Sequence, residues 1–293
     1  MTTPHHETNW IFLNGNFVPE PAAVISVLDR GFLYGDGLFE TMRVCQGGIF
    51  RWHAHWLRLK QGSEFLKIRL PMDEAALHQS ALALVQKNLL THAFLRLTVS
   101  RGVGPRGYSP LGADRPTLTM TTHPMPETND SDTPRWKLIT SSVRVAAGEP
   151  LTQFKTCNKL AQIMARSEAD AVGGNEALVC NTEGFVVEAS SSNLFWLDDG
   201  TVCTPPVASG ILPGVTRTVV LEICHALGVP TKEVLVKPEH LRRSDGVFLS
   251  LSTSGLAPAI ELDGHPLPAP TLVKTLRQSY QSLLLRETKS NAF

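Results

Sequence analysis

The stretch DRGFLYGDGLFET, residues 29–41, places a glycine-containing turn directly before an apolar segment. Its Gly35-x-Gly37 pair begins like a nucleotide-binding loop, but Glu40 stands where a third glycine would fall. Residues 38–44 carry the pattern of a strand rather than of a helix. We therefore interpret the glycine pair as a turn that leads into a strand.

The segments around this stretch predict an α+β arrangement for the first half of the chain. Residues 10–18 read as a hairpin, because Asn14-Gly15 tolerates the positive φ that a two-residue turn requires. A further turn is predicted at Gly47-Gly48. The apolar spacing predicts helices over 53–68 and 72–90 and strands over 94–99 and 117–122.

A polar segment then interrupts the pattern. The sequence HPMPETNDSDTPR, residues 123–135, contains three prolines and several turn-forming residues, which favours an exposed connection. We predict a small N-terminal α+β domain over 1–125, a linker over 126–135 and a large domain over 136–293. In the large domain we expect strands over 136–142, 177–180, 185–188, 193–197 and 247–252, helices over 158–171, 238–243 and 270–286, and a helix after Pro213-Gly214.

The composition excludes several classes of protein. The 293 residues include 27 Lys plus Arg and 27 Asp plus Glu, so the chain lacks the basic excess that phosphate-backbone binding needs. No stretch approaches the ~20 consecutive apolar residues of a membrane span, and no signal peptide is recognisable. The five cysteines contain no Cys-x-x-Cys pair. We expect a cytoplasmic protein with reduced thiols that binds neither nucleic acid nor membranes.

Three motifs suggest other chemistry but fail on their context. The pattern Gly102-x-Gly104-x-x-Gly107 matches a dinucleotide fingerprint, yet it contains Pro105 and no helix can follow, so we predict a shaped loop carrying Arg106. The pair His53-x-His55 has no Cys, Asp or Glu cluster beside it, and we expect no metal site. The serines at 190–192 lack the glycines of a nucleophile elbow, which argues against a serine hydrolase.

Three other features are candidates for chemistry. Lys155 lies in the uncharged segment QFKTCN, where it is either a nucleophilic desolvated amine or a surface lysine at a helix start. Glu188 closes an apolar strand, and its carboxylate either pairs with a cation or N–H group or lies in water. The helix start at 214–217 either binds an anion through its N–H groups or is capped by Thr216.

Together these segments resemble the class-IV, or fold-type IV, pyridoxal-phosphate enzymes, which include branched-chain and D-amino-acid aminotransferases and aminodeoxychorismate lyase. The resemblance covers nearly the whole chain. It implies an α+β, two-domain D-amino-acid aminotransferase-like fold with a smaller N-terminal α/β domain, a larger C-terminal domain with a β-barrel-like core, and a homodimer. It rests on five motifs in family order: DRGFLYGDGLFET at 29–41, HWLRL at 55–59, KxxN at 155–158, EASSSNLF at 188–195 and GVTR at 214–217.

The resemblance implies pyridoxal 5'-phosphate as the cofactor and assigns roles around it. Lys155 binds the cofactor covalently and acts as the catalytic base once substrate has displaced it. Arg58 and the helix start at Val215 and Thr216 hold the cofactor phosphate. Glu188 pairs with the pyridine nitrogen, so that the ring stays protonated and accepts electrons.

Two further positions match the family less closely. Ser252 falls where the family places another phosphate-contacting hydroxyl, usually a threonine. Lys159 stands near a position where branched-chain enzymes have a tyrosine that reaches the cofactor. The resemblance therefore assigns a phosphate contact to Ser252, while a contact of Lys159 with the cofactor stays open.

The same resemblance gives the substrate residues and the reaction. The substrate-binding residues are expected to be Tyr34, Phe39, Arg106, Tyr108 and Thr253. The segment RGVGPRGYS at 101–109 looks like that of the lyases, and it favours 4-amino-4-deoxychorismate lyase, with Arg106 binding a carboxylate. A D-amino-acid or branched-chain aminotransferase that uses a 2-oxo acid acceptor is the alternative, and a cofactor-binding or regulatory protein with a decayed site is a third.

Overall fold

The predicted hairpin is present at the start of the first sheet. Strands β1 (Trp10–Leu13) and β2 (Asn16–Pro19) pair antiparallel, and both Asn14 and Gly15 between them have positive φ. The structure is a computed structural model that describes residues 9–125 and 135–289. These residues form two units, one of 9–125, 155–158 and 284–289 and another of 135–154 and 159–283. The predicted linker over 126–135 lies outside the described residues except for Arg135.

The first unit is a six-stranded antiparallel sheet with two long helices. Besides β1 and β2 its elements are α1 (Arg30–Tyr34), β3 (Gly37–Cys45), β4 (Gly48–Ile49), α2 (Trp52–Leu66), α3 (Glu74–Lys87), β5 (Ala93–Ser100) and β6 (Thr117–Pro124). The sheet order is β2-β1-β6-β5-β3-β4. Alternate residues of β5, Leu95, Leu97 and Val99, are buried, as the period of a strand requires.

Two local features of this unit differ from the sequence-based expectation. Helix α1 was not predicted, because five residues are too few to show a helical period. It starts at Asp29, whose carboxylate accepts from Gly31 N at 2.7 Å, and it ends at Gly35 in the left-handed conformation. The turn predicted at Gly47-Gly48 lies one residue earlier, because Gly48 already belongs to β4.

The second unit is a nine-stranded mixed sheet with helices. The elements are β7 (Trp136–Val145), α4 (Leu160–Ala171), β8 (Glu176–Asn181), β9 (Val186–Ala189), β10 (Asn193–Asp198), β11 (Thr201–Thr204), α5 (Val215–Ala226), β12 (Thr231–Glu233), α6 (Pro238–Leu241), β13 (Gly246–Leu251), β14 (Gly255–Leu262), β15 (His265–Pro266) and α7 (Thr271–Lys289). The sheet order is β12-β11-β10-β13-β14-β7-β8-β9, and β15 pairs with β14. Strand β8 is buried at all six residues, which is typical of a strand covered on both faces.

Several boundaries in this unit were predicted wrongly. Strand β13 ends at Leu251, so Ser252 lies in the turn that follows. Helix α6 ends at Leu241 rather than at residue 243. No helix among the described residues has the length and apolar character needed to cross a membrane.

Candidate active site

Lys155 lies on a short segment that runs along β3. The Phe39 N–H donates to the Lys155 carbonyl oxygen at 2.9 Å, and the Cys157 N–H donates to the Gly37 carbonyl oxygen at 2.8 Å. A Cβ on Gly37 would approach Val99 O to 2.7 Å, so only glycine fits at this crowded point. Lys155 is therefore fixed by backbone pairing rather than by the start of a helix.

The side chain of Lys155 shares an aromatic ring with a second cation. Lys155 Nζ lies 4.7 Å from the centre of the Phe39 ring, and the Arg96 guanidinium carbon lies 3.8 Å from it. Burial lowers the pKa of Arg96, although a guanidinium keeps its charge in proteins. Two cations on one ring make this face of β3 suitable for an anionic ligand. Arg96 was not among the predicted site residues.

The opposite face of β3 carries a buried charged cluster. Glu40 accepts from Arg58 Nε at 2.8 Å and from an Arg58 terminal nitrogen at 2.6 Å. His55 Nδ1 lies 2.6 Å from the same carboxylate. Burial alone would raise the pKa of Glu40, but Arg58 and His55 lower it to about 2. Burial lowers the pKa of His55, so the neutral ring is the hydrogen-bond donor to Glu40.

Tyr34 and Tyr108, two of the predicted substrate residues, meet at the loop between β5 and β6. Their rings lie 5.6 Å apart in an edge-to-face arrangement. Tyr108 is 86 % exposed, and Arg106, two residues earlier, is exposed as well. The first unit therefore presents these three predicted side chains on or beside one exposed loop.

In the second unit, Glu188 lies in β9 and accepts from Leu212 N at 3.1 Å. Asn193 donates from Nδ2 to the Leu212 carbonyl oxygen at 2.9 Å, which ties the same loop to β10. The serine turn between these strands is anchored by the buried Glu176, which accepts from the hydroxyls of Ser190 and Ser191. The predicted pairing partner of the pyridine nitrogen is thus held in a hydrogen-bonded frame.

The start of α5 is buried, and Thr216 does not cap it. Gly214 occupies the N-cap position without a side-chain cap, while Thr216 lies inside the first turn and is 5 % exposed. A Cβ on Gly214 would lie 1.9 Å from Asn193 Oδ1. The capping alternative for Thr216 is therefore wrong, and the buried helix start has the form of an anion site.

The hydroxyl of Ser250 is suited to bind the same anion as the start of α5. Ser250 lies opposite Asn193 in the pairing of β10 with β13, so both side chains belong to one face of the sheet. Ser250 is buried, and within the described residues its Oγ has no hydrogen-bond partner. Buried hydroxyls are rarely left unpaired, so this donor together with the start of α5 fits the phosphate of a cofactor. Ser252 and Thr253 follow at the end of β13 and are half-buried.

Comparison with known proteins decides the family. The sequence profile described as amino-transferase class IV matches residues 37–262. The chain belongs to the class IV aminotransferase family. Members of this family use pyridoxal 5'-phosphate, so the predicted enzyme class and cofactor are confirmed.

Relatives and solved structures of this family cover almost the whole chain. A Methanocaldococcus jannaschii protein named as a branched-chain-amino-acid aminotransferase is 33 % identical over 277 residues, 93 % of this chain and 96 % of that protein. The D-alanine aminotransferase of Staphylococcus aureus strain MSSA476 is 30 % identical over 261 residues, 88 % of this chain and 90 % of that protein.

Two solved structures extend the comparison. A T.th. branched-chain amino acid aminotransferase with pyridoxamine 5'-phosphate superposes with a TM-score of 0.91 at 27 % identity and covers 97 % of this chain and 98 % of its own. A Legionella pneumophila protein named for 4-amino-4-deoxychorismate lyase superposes with a TM-score of 0.84 at 28 % identity. The match covers 90 % of this chain and 97 % of that protein's chain. These matches confirm the predicted fold, in which the nine-stranded sheet is the curled half-barrel of the large domain.

The class IV fold distributes the predicted residues over both units. The first unit carries Tyr34, Phe39, Arg58, Arg106, Tyr108 and Lys155, and the second carries Glu188, Val215, Thr216, Ser252 and Thr253. Their individual roles stay predictions. Arg96 and Ser250 were missed, and the signal for Arg96 was a cation in the apolar strand AFLRLTVS.

Proposed function

We propose that this class IV enzyme is a 4-amino-4-deoxychorismate lyase, which releases pyruvate and forms 4-aminobenzoate for folate biosynthesis. The observation that carries the proposal is the loop with Arg106 and Tyr108, whose sequence RGVGPRGYS resembles that of the lyases. Tyr108 contacts Tyr34 there, which supports a shaped substrate-recognition surface.

The charges of the first unit support a substrate with two carboxylates. Arg96 lies on the Phe39 ring together with the amine of Lys155, and Arg106 is exposed on the loop, so the unit offers two guanidinium groups. A guanidinium binds a carboxylate through two parallel hydrogen bonds, and aminodeoxychorismate carries two such groups. An electrically neutral substrate would leave these cations without use.

In this proposal each residue has a definite task. Lys155 Nζ holds the cofactor and then takes the proton from the ring carbon that bears the substrate amine. Glu188 pairs with the pyridine nitrogen, and Arg58, Val215, Thr216 and Ser252 bind the phosphate. Pyridoxal phosphate supplies an electron-accepting ring when it is bound. Loss of the proton lets the bond between the substrate ring and the enolpyruvyl oxygen break, the released enolpyruvate takes up a proton to become pyruvate, and the substrate ring becomes aromatic.

A second candidate is an aminotransferase with a 2-oxo acid acceptor. It is favoured by the relative named as a branched-chain-amino-acid aminotransferase at 33 % identity and by the D-alanine aminotransferase at 30 %. It requires the same cofactor residues, and the cations of the first unit also suit an acceptor with two carboxylates.

The deciding experiment offers the cofactor-loaded enzyme each type of substrate in turn. With aminodeoxychorismate we expect equal amounts of pyruvate and 4-aminobenzoate, measured by coupled absorbance and chromatography. With D-alanine, D-glutamate or L-leucine and no acceptor, we expect the absorption band of the bound cofactor to persist. Conversion of that cofactor to pyridoxamine phosphate by one donor, without pyruvate from aminodeoxychorismate, would establish the aminotransferase instead.

An exposed apolar patch supports a homodimer. Between residues 24 and 33 six large apolar side chains are 47–74 % exposed, and they are Val24, Ile25, Val27, Leu28, Phe32 and Leu33. Apolar patches of this kind mark protein interfaces, and a second copy of the chain is the proposed occupant. All five cysteines are free, which supports the proposed cytoplasmic location.

A further inference from the structure

Two buried arginines meet on one carboxylate beside the loop that carries Arg106. Arg30 Nε and Arg101 Nε each donate to Asp36 Oδ2 at 2.8 Å. Burial would raise the pKa of Asp36, but hydrogen bonds from Arg101 and Arg30 outweigh it and lower the pKa. Asp36 is therefore a charged centre that orients both guanidinium groups.

Arg30 uses its remaining nitrogens to hold the loop backbone. Its terminal nitrogens donate to three consecutive carbonyl oxygens, those of Gly107 at 2.8 Å, Tyr108 at 3.0 Å and Ser109 at 3.2 Å. Its guanidinium carbon also lies 5.0 Å from the centre of the Tyr34 ring. The planar guanidinium presents its donors in a fixed fork, so these bonds define the path of the loop.

Arg30 is buried, whereas the loop whose carbonyl oxygens it binds is exposed. Arg30 is 4 % exposed, whereas Tyr108 is 86 % exposed. An exposed loop without such support samples many conformations, and ordering it on binding would weaken affinity. Here the hydrogen bonds lie beneath the loop and leave the side chains of Arg106 and Tyr108 on the surface.

The second arginine connects this support to the rest of the unit. Arg101 directly follows β5, and its terminal nitrogens donate to the carbonyl oxygens of Leu66 at 2.8 Å and Lys67 at 3.0 Å, at the end of α2. Asp36 directly precedes β3, and its carbonyl oxygen accepts from the Arg101 N–H at 3.0 Å. The loop is thereby anchored to two strands and a helix.

We infer that Arg30 is a positioning residue that fixes the backbone of residues 107–109, and so sets Arg106 and Tyr108 for recognition of a substrate carboxylate. The inference rests on the proposed function, because there Arg106 is the carboxylate ligand. Its structural part, the fixing of the loop, is independent of any substrate.

Limited trypsin digestion tests the structural part. Arg30→Lys keeps a positive charge beside Asp36, and because trypsin cleaves after lysine as well as arginine, the number of cleavable sites does not change. The substitution removes the guanidinium whose nitrogens reach three carbonyl oxygens. In the cofactor-loaded enzyme we expect the rate of cleavage after Arg106 to rise by about tenfold, because the loop opens more often. Mass spectrometry of the fragments measures this rate. Arg115→Lys, an exposed position of the same connection, should leave that rate within about twofold of the wild-type rate.

A second variant covers the case in which Arg30→Lys does not fold. Asp36→Asn keeps Arg30 and the side-chain shape but removes the charge that orients both guanidiniums, and it should raise the same cleavage rate. Cofactor absorbance and thermal unfolding report whether each variant is folded. An unchanged cleavage rate after Arg106 in the folded variants would overturn the inference, whatever reaction the enzyme catalyses.

Kinetics of a double-mutant cycle test the part that concerns recognition. Arg30→Lys should raise KM about tenfold with little change in kcat, as loss of substrate positioning predicts. In the background of Arg106→Ala the same substitution should cause a smaller increase in KM, because only the position of Tyr108 then still depends on Arg30. Additive effects would contradict the inference, whereas an unchanged KM in Arg106→Ala alone would contradict the proposed carboxylate ligand.

Discussion

Two groups of charged residues in the first unit lie on opposite faces of β3. Phe39 carries the cations of Lys155 and Arg96, while its neighbour Glu40 faces Arg58. Consecutive residues of a strand point to opposite faces, so one strand serves both groups. The groups still interact, because the charge of Lys155 contributes to lowering the pKa of His55.

Loss of the Glu40 carboxylate should reduce the stability of the first unit. A pKa lowered from 4.5 to about 2 means that Arg58 and His55 outweigh the burial penalty of the carboxylate, by a net of about 3 kcal/mol. Glu40→Gln leaves the buried guanidinium without that charge, so we expect the free energy of unfolding in urea to fall by about 3 kcal/mol. Glu64→Gln, which removes an exposed pair with Lys60, should cause no measurable change.

The dependence of stability on pH gives the same prediction a second readout. The contribution of Glu40 is complete above pH 4.5 and is lost as the pH falls toward about 2. His55 acts in the same direction, since its lowered pKa makes stability decline as the pH falls below 6.5. In Glu40→Gln the decline below pH 4.5 should be smaller than in the wild-type protein. An equal decline in both proteins would show that Glu40 is not the titrating group.

Single residues also show how far a sequence can be interpreted. Lys155 and Glu188 were predicted as site residues because of the resemblance to a family. Their local sequence alone left both a functional and a purely structural interpretation open. Arg96 was not selected, because its position over Phe39 depends on the pairing of β5 with β3. Arg30 was present in a quoted motif, yet its three carbonyl contacts join residues more than seventy positions apart.

At the scale of elements, the strands and helices with a clear period were predicted and the irregular ones were not. Helices α2 and α3 and strands β3 and β5 have apolar spacing that matches their burial. Strand β14 has the sequence GLAPAIEL and contains Pro258. A proline argues against a strand in sequence-based prediction, because it cannot donate a backbone hydrogen bond. Strand β12 is exposed at all three residues, so it has no apolar signal.

Strand β13 supplies the next prediction, because its Ser250 hydroxyl is buried without a partner in the described part of the chain. Ser250→Ala loses no hydrogen bond, so the free energy of unfolding without cofactor should change by less than ~0.5 kcal/mol. The buried Ser244, which donates to Leu241 O at 2.8 Å, is the matched control, and Ser244→Ala should cost about 1 kcal/mol.

The same two variants should differ in their affinity for pyridoxal phosphate. If the Ser250 hydroxyl serves the cofactor phosphate, Ser250→Ala weakens pyridoxal phosphate binding about fivefold, while Ser244→Ala leaves it unchanged. The measurement is a fluorescence titration of the cofactor-free protein. Equal affinities for Ser250→Ala and the wild-type protein would remove Ser250 from the phosphate site.

At the scale of the whole molecule, the open question is what covers the apolar side chains of residues 24–33. Val27 is 71 % exposed and Phe32 is 69 % exposed, although apolar side chains of this size gain ~1.5–3 kcal/mol each on burial. In the proposed homodimer a second copy of the chain would cover this segment, since a symmetric contact buries the same patch twice. The first unit thus has an apolar surface of its own next to the loop of Arg106.

We expect sedimentation to give a particle of twice the 32.0 kDa chain mass. Val27→Asp places a charge in the interface and should shift the protein to monomers, because an unpaired buried charge is strongly unfavourable. Leu89→Asp, at a position 80 % exposed and far along the chain from the patch, should remain dimeric. A wild-type monomer would contradict the homodimer, and a Val27→Asp dimer would place the interface on another surface. If dimerisation orders the patch, Val27→Asp should also raise KM more than it lowers kcat, because the recognition loop belongs to the same unit.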